Sequence, residues 1–456
     1  MDTRLIPTTK PARARSTPPG PKSAFPLTLL AAFRRDPVNF LLEMASYGDI
    51  SYVYLNKFNM YLLNDPDLIQ DVLVTHARQF IKSRGLQFTR PVMGNGLLTS
   101  EGDYHLRQRR LVQPAFHRQR VAGYAKTMVE YAEGVNRRWQ PQAVVDMTSE
   151  MMRLTLGIAG KTLFNADVAG EADEIGLALT DAMQMFKRMT SPFEGILEKL
   201  PLASNARFER GRQRLDETIY RMIGEHRASG DNGDLLSMLL AAEDVEGDGA
   251  RMTDQQIRDE AMTIFLAGHE TTAIALGWSW YLLSQAPQAE EQLQQELSLV
   301  LGGRLPTYED IPALDYTRMV FSEALRMYPP AYVLGRSPLS DYKVGGYVIP
   351  AGATVLLSPF VMQHDPRYYS EPYKFDPLRW KFDEEAARPK YAYFPFGGGP
   401  RLCVGEPFAW AEGILVLATL AQTWRPRYVP DHPIGFKPLI TLRPKGGISM
   451  RLERRA

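Results

Sequence analysis

The sequence predicts an α+β protein in which helices dominate, and three observations carry that expectation. Residues 104–301 are rich in helical apolar periodicity, while short strand-like runs fall near residues 50–63 and 343–357. One segment, residues 253–284, is long, free of proline and apolar on nearly every face. Turn residues such as Pro350-Ala351-Gly352 sit between the short runs and not inside the helical patterns.

Taken in order, residues 1–26 read as a flexible proline-rich arm with Lys10, Arg13, Arg15 and Pro18-Pro19-Gly20-Pro21, ahead of a single domain over 27–456. The arm lacks the apolar stretch of a signal peptide or membrane anchor. Ile50–Leu55 and residues 60–63 read as two strands around Lys57-Phe58-Asn59, and Asn64-Asp65-Pro66 caps a helix running towards His76. Strands return at residues 343–349 and Thr354–Leu357, joined through Pro350-Ala351-Gly352. The long segment opens on a capping box, Thr253 with Gln256, and meets no proline before Pro287. It is a buried helix or a membrane span. Glu270 at its centre would cost about 2.5–3.5 kcal/mol in lipid, which favours a helix crossing a protein core.

Composition narrows the function. Hydrophobic residues make up 45% and charged residues 23%, which excludes a largely disordered chain. A formal net charge of +1 supplies no global field for nucleic acid or an anionic membrane. The single cysteine, Cys403, excludes an intramolecular disulfide and a zinc site of several thiolates within one chain. Its loop reads Phe396-Gly397-Gly398-Gly399-Pro400-Arg401-Leu402-Cys403-Val404-Gly405. Glycines on both sides let backbone N–H groups approach the sulfur, and Glu406-Pro407 starts a helix whose N-terminus further lowers a thiol pKa. A nucleophile would need a general base nearby, and this loop offers none; a metal ligand needs only the thiolate.

The pattern Phe-x-x-Gly-x-Arg-x-Cys-x-Gly from Phe396 to Gly405 resembles the haem-binding loop of the cytochromes P-450. Three further motifs match in that family's order. Ala267-Gly268-His269-Glu270-Thr271-Thr272 resembles its oxygen-activation segment, Glu323-Ala324-Leu325-Arg326 its Glu-x-x-Arg helix, and Phe375-Asp376-Pro377-Leu378-Arg379-Trp380 the segment whose arginine completes a Glu-Arg-Arg network. The resemblance covers most of the chain from residue 30 onward. It implies a mainly α cytochrome P-450 fold, with a large helical body, a long central helix and small β-sheets.

The resemblance also implies site residues. Cys403 would be the axial thiolate of haem b (iron protoporphyrin IX), shielded by Phe396, and such a ligand pushes electron density onto the iron. His105, Arg109, Arg336 and Arg401 would meet the haem propionates. Glu323, Arg326 and Arg379 would form a buried structural network, in place of an exposed i,i+3 pair. Thr271 would organise proton delivery with Glu270 feeding it; the structural alternative has Thr271 bond a carbonyl one turn back. His269 is read as no ligand. Leu97, Leu98, Phe265, Ala267, Val333, Leu334 and Ile440 would line an apolar substrate pocket. Met183, Met185, Phe186 and Met189 would stand near its entrance or belong simply to the core. Arg107, Arg110, Arg118 and Arg120 form a solvated face or part of a docking patch for an acidic electron donor.

The implied activity is that of a monooxygenase, an oxidoreductase that inserts one oxygen atom from dioxygen into a lipophilic substrate such as a fatty acid, terpenoid, steroid or carotenoid. No flavin or iron–sulfur motif is present, so electrons are expected from a separate ferredoxin or flavodoxin with its reductase. The expected state is a soluble cytoplasmic monomer, without membrane anchor or nucleic-acid partner. A peroxide-driven or isomerising relative and a haem-based sensor are the rivals. Both are disfavoured by Glu270-Thr271, a pair that neither chemistry requires.

Overall fold

The computed structural model describes residues 17–23, 26–55, 58–166, 168, 202–244, 249, 251–430 and 433–455. Met183, Met185, Phe186 and Met189 lie outside the described residues, as does most of the N-terminal arm. Helices of seven or more residues are numbered in chain order.

Two helices, α1 (Pro26–Arg35) and α2 (Pro37–Ala45), lead into β1 (Ile50–Leu55) and β2 (Phe58–Leu63). The helical body follows: α3 (Gly102–Val112), α4 (Arg118–Arg138), α5 (Met147–Phe164), α6 (Ala203–Ser229), α7 (Leu235–Ala241), α8 (Asp254–Gln285), α9 (Pro287–Leu301) and α10 (Asp315–Met327). A last helix, α11 (Glu406–Ala421), starts just beyond Cys403. Strands β1 and β2 join β3 (Phe80–Lys82), β5 (Leu334–Pro338) and β8 (Thr354–Leu357) in one sheet of order β1-β2-β8-β5-β3. Within it β2 and β8 run parallel, with Met60 opposite Thr354, and the other pairs are antiparallel. A three-stranded sheet unites β4 (Val144–Asp146), β12 (Ser449–Arg454) and β9 (Trp424–Tyr428), and β10 (Phe436–Pro438) pairs with β11 (Leu442–Pro444).

The long helix forms as its sequence dictates. Thr253 accepts from the Gln256 N–H at 3.3 Å while the Gln256 side chain accepts from the Thr253 N–H at 2.9 Å, closing the capping box. From there α8 runs through the core, packed mainly on α5 and also on α6, α10 and α11, while α11 lies along α4. Its all-round apolarity is explained by helices on most sides. No described helix is long and apolar enough to cross a membrane.

Two expectations need correction, and a third holds with a change of helix type. Pro18, Gly20 and Pro21 of the arm are buried, and the Tyr52 N–H donates to the Pro19 carbonyl at 2.9 Å. The proline run thus covers the open edge of β1, a place where an extended segment without its own ladder fits well. Residues 343–349 are not one strand: β6 (Tyr342–Val344) and β7 (Tyr347–Ile349) form a hairpin turning at Gly345 and Gly346, both with positive φ (54° and 81°). The helix expected up to His76 runs as Pro66–Gln70, capped by Asp65, and continues as a π turn over Asp71–Thr75. That π turn packs against the cysteine loop, and a wider turn at such a contact is typical of functional sites.

Candidate active site

The cysteine loop is held by its own backbone. The Cys403 N–H donates to the Phe396 carbonyl at 3.0 Å, and the Gly397 N–H to Phe394 at 2.9 Å. Gly399 sits at φ 65° with its Cα so close to the π turn that a Cβ would lie 1.9 Å from the Leu73 carbonyl oxygen. Only glycine fits there. Beyond the cysteine, the N–H groups of Gly405 and Glu406, at the start of α11, point at the sulfur, and Arg109 stands near it. Arg109 also donates to the neighbouring Leu402 carbonyl at 2.7 Å. These donors favour a thiolate, yet burial outweighs them and pushes the thiol up. The expectation of a lowered thiol pKa therefore fails for the protein groups alone; a cation bound to the sulfur would be what deprotonates it. Cys403 keeps solvent-accessible surface as a residue. The Phe396 ring packs 5.7 Å from that of Trp410 on α11, beside the loop.

Around this loop the structure gathers an excess of buried cations. Lys82 of β3 lies opposite Arg336 of β5 in register, and both repel Arg401 and each other electrostatically. Burial first, and then these neighbours, push Lys82 down to about 7 and Arg336 to about 10. Burial, Lys82, Arg401 and Arg109 push His105 down to about 3, so its imidazole is neutral. One carboxylate, Glu101, answers this charge by pairing with Arg401. Here one buried donor is left over among the described residues, Arg401 Nη1, while His105 lies with Nδ1 3.3 Å from the Ser100 hydroxyl and beside the Leu97 backbone. Positive charge together with an unused buried donor is the chemistry that receives carboxylates. A ligand with carboxylates beside a central metal fits these residues.

On the opposite side runs α8. Between residues 257 and 280 it is buried except at Ala267, Gly268 and Thr271, one face of about one turn. The Thr271 hydroxyl donates to the Ala267 carbonyl at 3.0 Å. Glu270 points elsewhere: its carboxylate accepts from Arg443 at 2.7 Å and from the Thr441 hydroxyl, both at the β10–β11 hairpin. His269 Nδ1 lies 2.8 Å from the Phe265 carbonyl, and burial pushes its pKa down.

A family model for the cytochromes P-450 matches residues 18–449. The chain belongs to the cytochrome P-450 family.

Among its relatives, cyclooctatin synthase of Streptomyces melanosporofaciens is 41% identical over 97% of this chain and 96% of that protein. Cyclooctat-9-en-7-ol 5-monooxygenase of the same organism is 36% identical over 92% of each chain. Pentalenene oxygenase of Streptomyces avermitilis is 34% identical over 92% of this chain and 94% of that protein. As a P-450 the protein is an oxidoreductase of the monooxygenase type, binding haem b through a cysteine thiolate and requiring electrons from a redox partner.

The P-450 helix pair reads directly from the geometry. Glu323 and Arg326 are fully buried and joined by two 2.8 Å bonds, with Arg379 Nε 3.3 Å from Glu323. Trp380 Nε1 and the Asp376 N–H also donate to Glu323, and Arg326 reaches the carbonyls of Gln363, Pro372 and Lys374. The pair is thus the hub that fixes residues 363–380 against α10.

The residues expected at the pocket differ in exposure. Ala267 is exposed, Leu98, Val333, Leu334 and Ile440 are half-buried, and Leu97 is buried. Phe265 is a correction: it is fully buried, 5.6 Å from Phe164 of α5, on the face of α8 away from Ala267. On the basic face Arg110, Arg118 and Arg120 are exposed, as a solvated face requires, while Arg107 and Arg110 both pair with Asp244, at 3.2 and 3.0 Å, and Arg120 donates to the Gly233 carbonyl. Sequence reasoning missed Lys82, a lone lysine in a three-residue strand with no motif around it. It also missed Glu412 of α11, whose wholly buried carboxyl has no aligned partner among the described residues. Burial pushes Glu412 up to about 8, against the pull of the nearby Thr272 hydroxyl.

Proposed function

We propose that this P-450 oxidises a terpenoid, hydroxylating or epoxidising it, with Cys403 as the residue that would supply the thiolate to the haem iron. The observation that carries the reading is the pairing of the one cysteine, at the N-terminus of α11, with a cluster of buried cations in which Arg401 keeps an unused donor. The haem supplies dioxygen activation: one oxygen atom enters the substrate and the other leaves as water, consuming two electrons and two protons. His105, Arg336 and Arg401 hold the propionates, Arg109 steadies the Leu402 carbonyl beside the ligand, and Phe396 shields the sulfur. Thr271 stands on the open face of α8, where its hydroxyl donates to Ala267 and keeps oxygen lone pairs free to accept a proton-bearing water. Glu270 can feed that hydroxyl only by leaving Arg443, so its proton delivery requires a side-chain swing.

Three relatives whose names specify cyclooctatin, cyclooctat-9-en-7-ol and pentalenene support a terpenoid over the other lipophilic classes. Leu98, Ala267, Val333, Leu334 and Ile440 carry no charge, so affinity comes mainly from apolar area, at about 25 cal/mol per Å². Electrons come from a ferredoxin or flavodoxin and its NAD(P)H-dependent reductase, and the reading is of a monomeric, cytoplasmic enzyme. Titrating the haem spin state with terpene hydrocarbons and alcohols, including cyclooctat-9-en-7-ol, against small polar compounds tests this. Low-to-high-spin shifts at micromolar terpenoid are expected; tight shifts confined to the polar set would overturn the substrate class.

A further inference from the structure

The segment 94–101, which carries Leu97 and Leu98, forms neither helix nor strand, yet its backbone is fastened from two sides. From α8, the Glu260 carboxylate accepts from the Leu97 N–H at 2.9 Å, and Asp259 accepts from the Asn95 N–H at 2.7 Å. From β3, the Lys82 ammonium donates to the Leu97 carbonyl at 2.9 Å and the Ser100 carbonyl at 2.8 Å. One residue thus has its amide N–H on a buried carboxylate and its carbonyl on a buried ammonium, supplied by elements far apart in sequence. The approach to α8 is close: a Cβ on Gly96 would lie 2.5 Å from the Asp259 carbonyl oxygen. Glu260 also accepts from Gln108 of α3 at 3.0 Å, tying the same carboxylate to the helix that bears His105 and Arg109.

We propose that Glu260 and Lys82 are positioning residues, a two-sided clamp that sets how far Leu97 and Leu98 reach into the substrate pocket and so where on the substrate oxidation falls. This rests on the reading that these two leucines border the pocket. Burial moves Glu260 up and Lys82 down, both to about 7, yet either one bonds the loop backbone charged or neutral, and both are buried, so the loop has one well-defined position. Freed of either side chain, the loop keeps its sequence but loses the anchor that holds Leu97 between α8 and β3, and the other group stays buried without its counterpart. The cost falls on ligands large enough to touch the loop and spares those that touch only the metal.

Two azoles that bind haem iron separate these cases: imidazole, which needs no pocket wall, and 4-phenylimidazole, whose ring does. In the holoenzyme, Glu260→Leu should weaken 4-phenylimidazole about tenfold while imidazole stays within about twofold, and Glu260→Gln, which keeps one acceptor oxygen, should fall between. Leu98→Ala tests the underlying reading. If it leaves 4-phenylimidazole binding unchanged, the leucines do not border the pocket and that reading fails. If Leu98→Ala weakens binding and Glu260→Leu does not, the clamp alone is overturned. Should Glu260→Leu fail to hold haem, hydrogen exchange on the unsubstituted holoenzyme decides. The Leu97 amide should then exchange as slowly as interior amides of α8, and faster in Lys82→Met but not in Lys82→Arg. Exchange at the rate of an open loop in the unsubstituted protein would refute the clamp.

Discussion

At the scale of single residues, Thr271 carries the sharpest test. Its hydroxyl makes the one-turn-back bond of an ordinary helical threonine, yet it does so on the one face of α8 that is not packed away. If that bond is its whole role, Thr271→Ala changes stability by less than about 0.5 kcal/mol and leaves coupling untouched. If it organises proton delivery, the variant still shows the substrate spin shift and consumes NAD(P)H. Product per NAD(P)H then falls by about tenfold or more and hydrogen peroxide rises in proportion. Glu270 is a separate case: with Arg443 and Thr441 holding it, its substitution is expected to disturb the β10–β11 hairpin as well as proton delivery.

Among elements, the join between α10 and residues 363–380 decides whether the cysteine loop is presented at all. Arg326→Met strands Glu323 beside Arg379 in the interior and is expected to cost about 3–5 kcal/mol, seen as a lower thermal midpoint and poor haem retention. A surface pair would cost only about 0.2–0.5 kcal/mol, so the size of the drop separates the two cases. The elements also show what sequence makes legible. The capping box at Thr253 and the Glu-x-x-Arg and cysteine motifs are local patterns, and local patterns survive into the fold. The split of residues 343–349 was signalled by Gly345-Gly346 and overlooked in favour of the more obvious turn at Pro350. The inward-facing ring of Phe265, the Asp244 pairs of Arg107 and Arg110, and the role of Lys82 depend on partners far along the chain. No spacing rule reaches them.

For the whole molecule, the buried titratable groups set how stability responds to pH. Glu412 is held neutral up to about pH 8, whereas the same carboxyl in the unfolded chain ionises near its ordinary value of 4.5. Between those values the unfolded state binds fewer protons, so this group lowers stability as pH rises, by up to about 1.4 kcal/mol per pH unit within the window. Glu412→Gln is expected to remove that slope, so that its stability gain over the parent grows from pH 5 to pH 8; a gain that does not grow with pH would contradict the burial argument. His105 acts in the opposite direction. Its neutral imidazole, pushed down to about 3 from 6.5, contributes stability above pH 6.5 that is lost as pH falls towards the folded value. Between pH 4.5 and 6.5 the two windows overlap and their slopes oppose each other, so these two groups together leave stability nearly flat there.

Cys403 is the residue on which the proposed chemistry of this P-450 depends most. The most direct measurement is the absorption spectrum of the reduced carbon monoxide complex for the parent, for Cys403→Ala and for Cys403→His, which keeps a metal ligand in place. The parent is expected to show the red-shifted Soret band of a thiolate-ligated haem, and both variants to lack it, the histidine form showing instead the band of a nitrogen-ligated haem. A red-shifted thiolate band surviving in either variant would contradict the assignment.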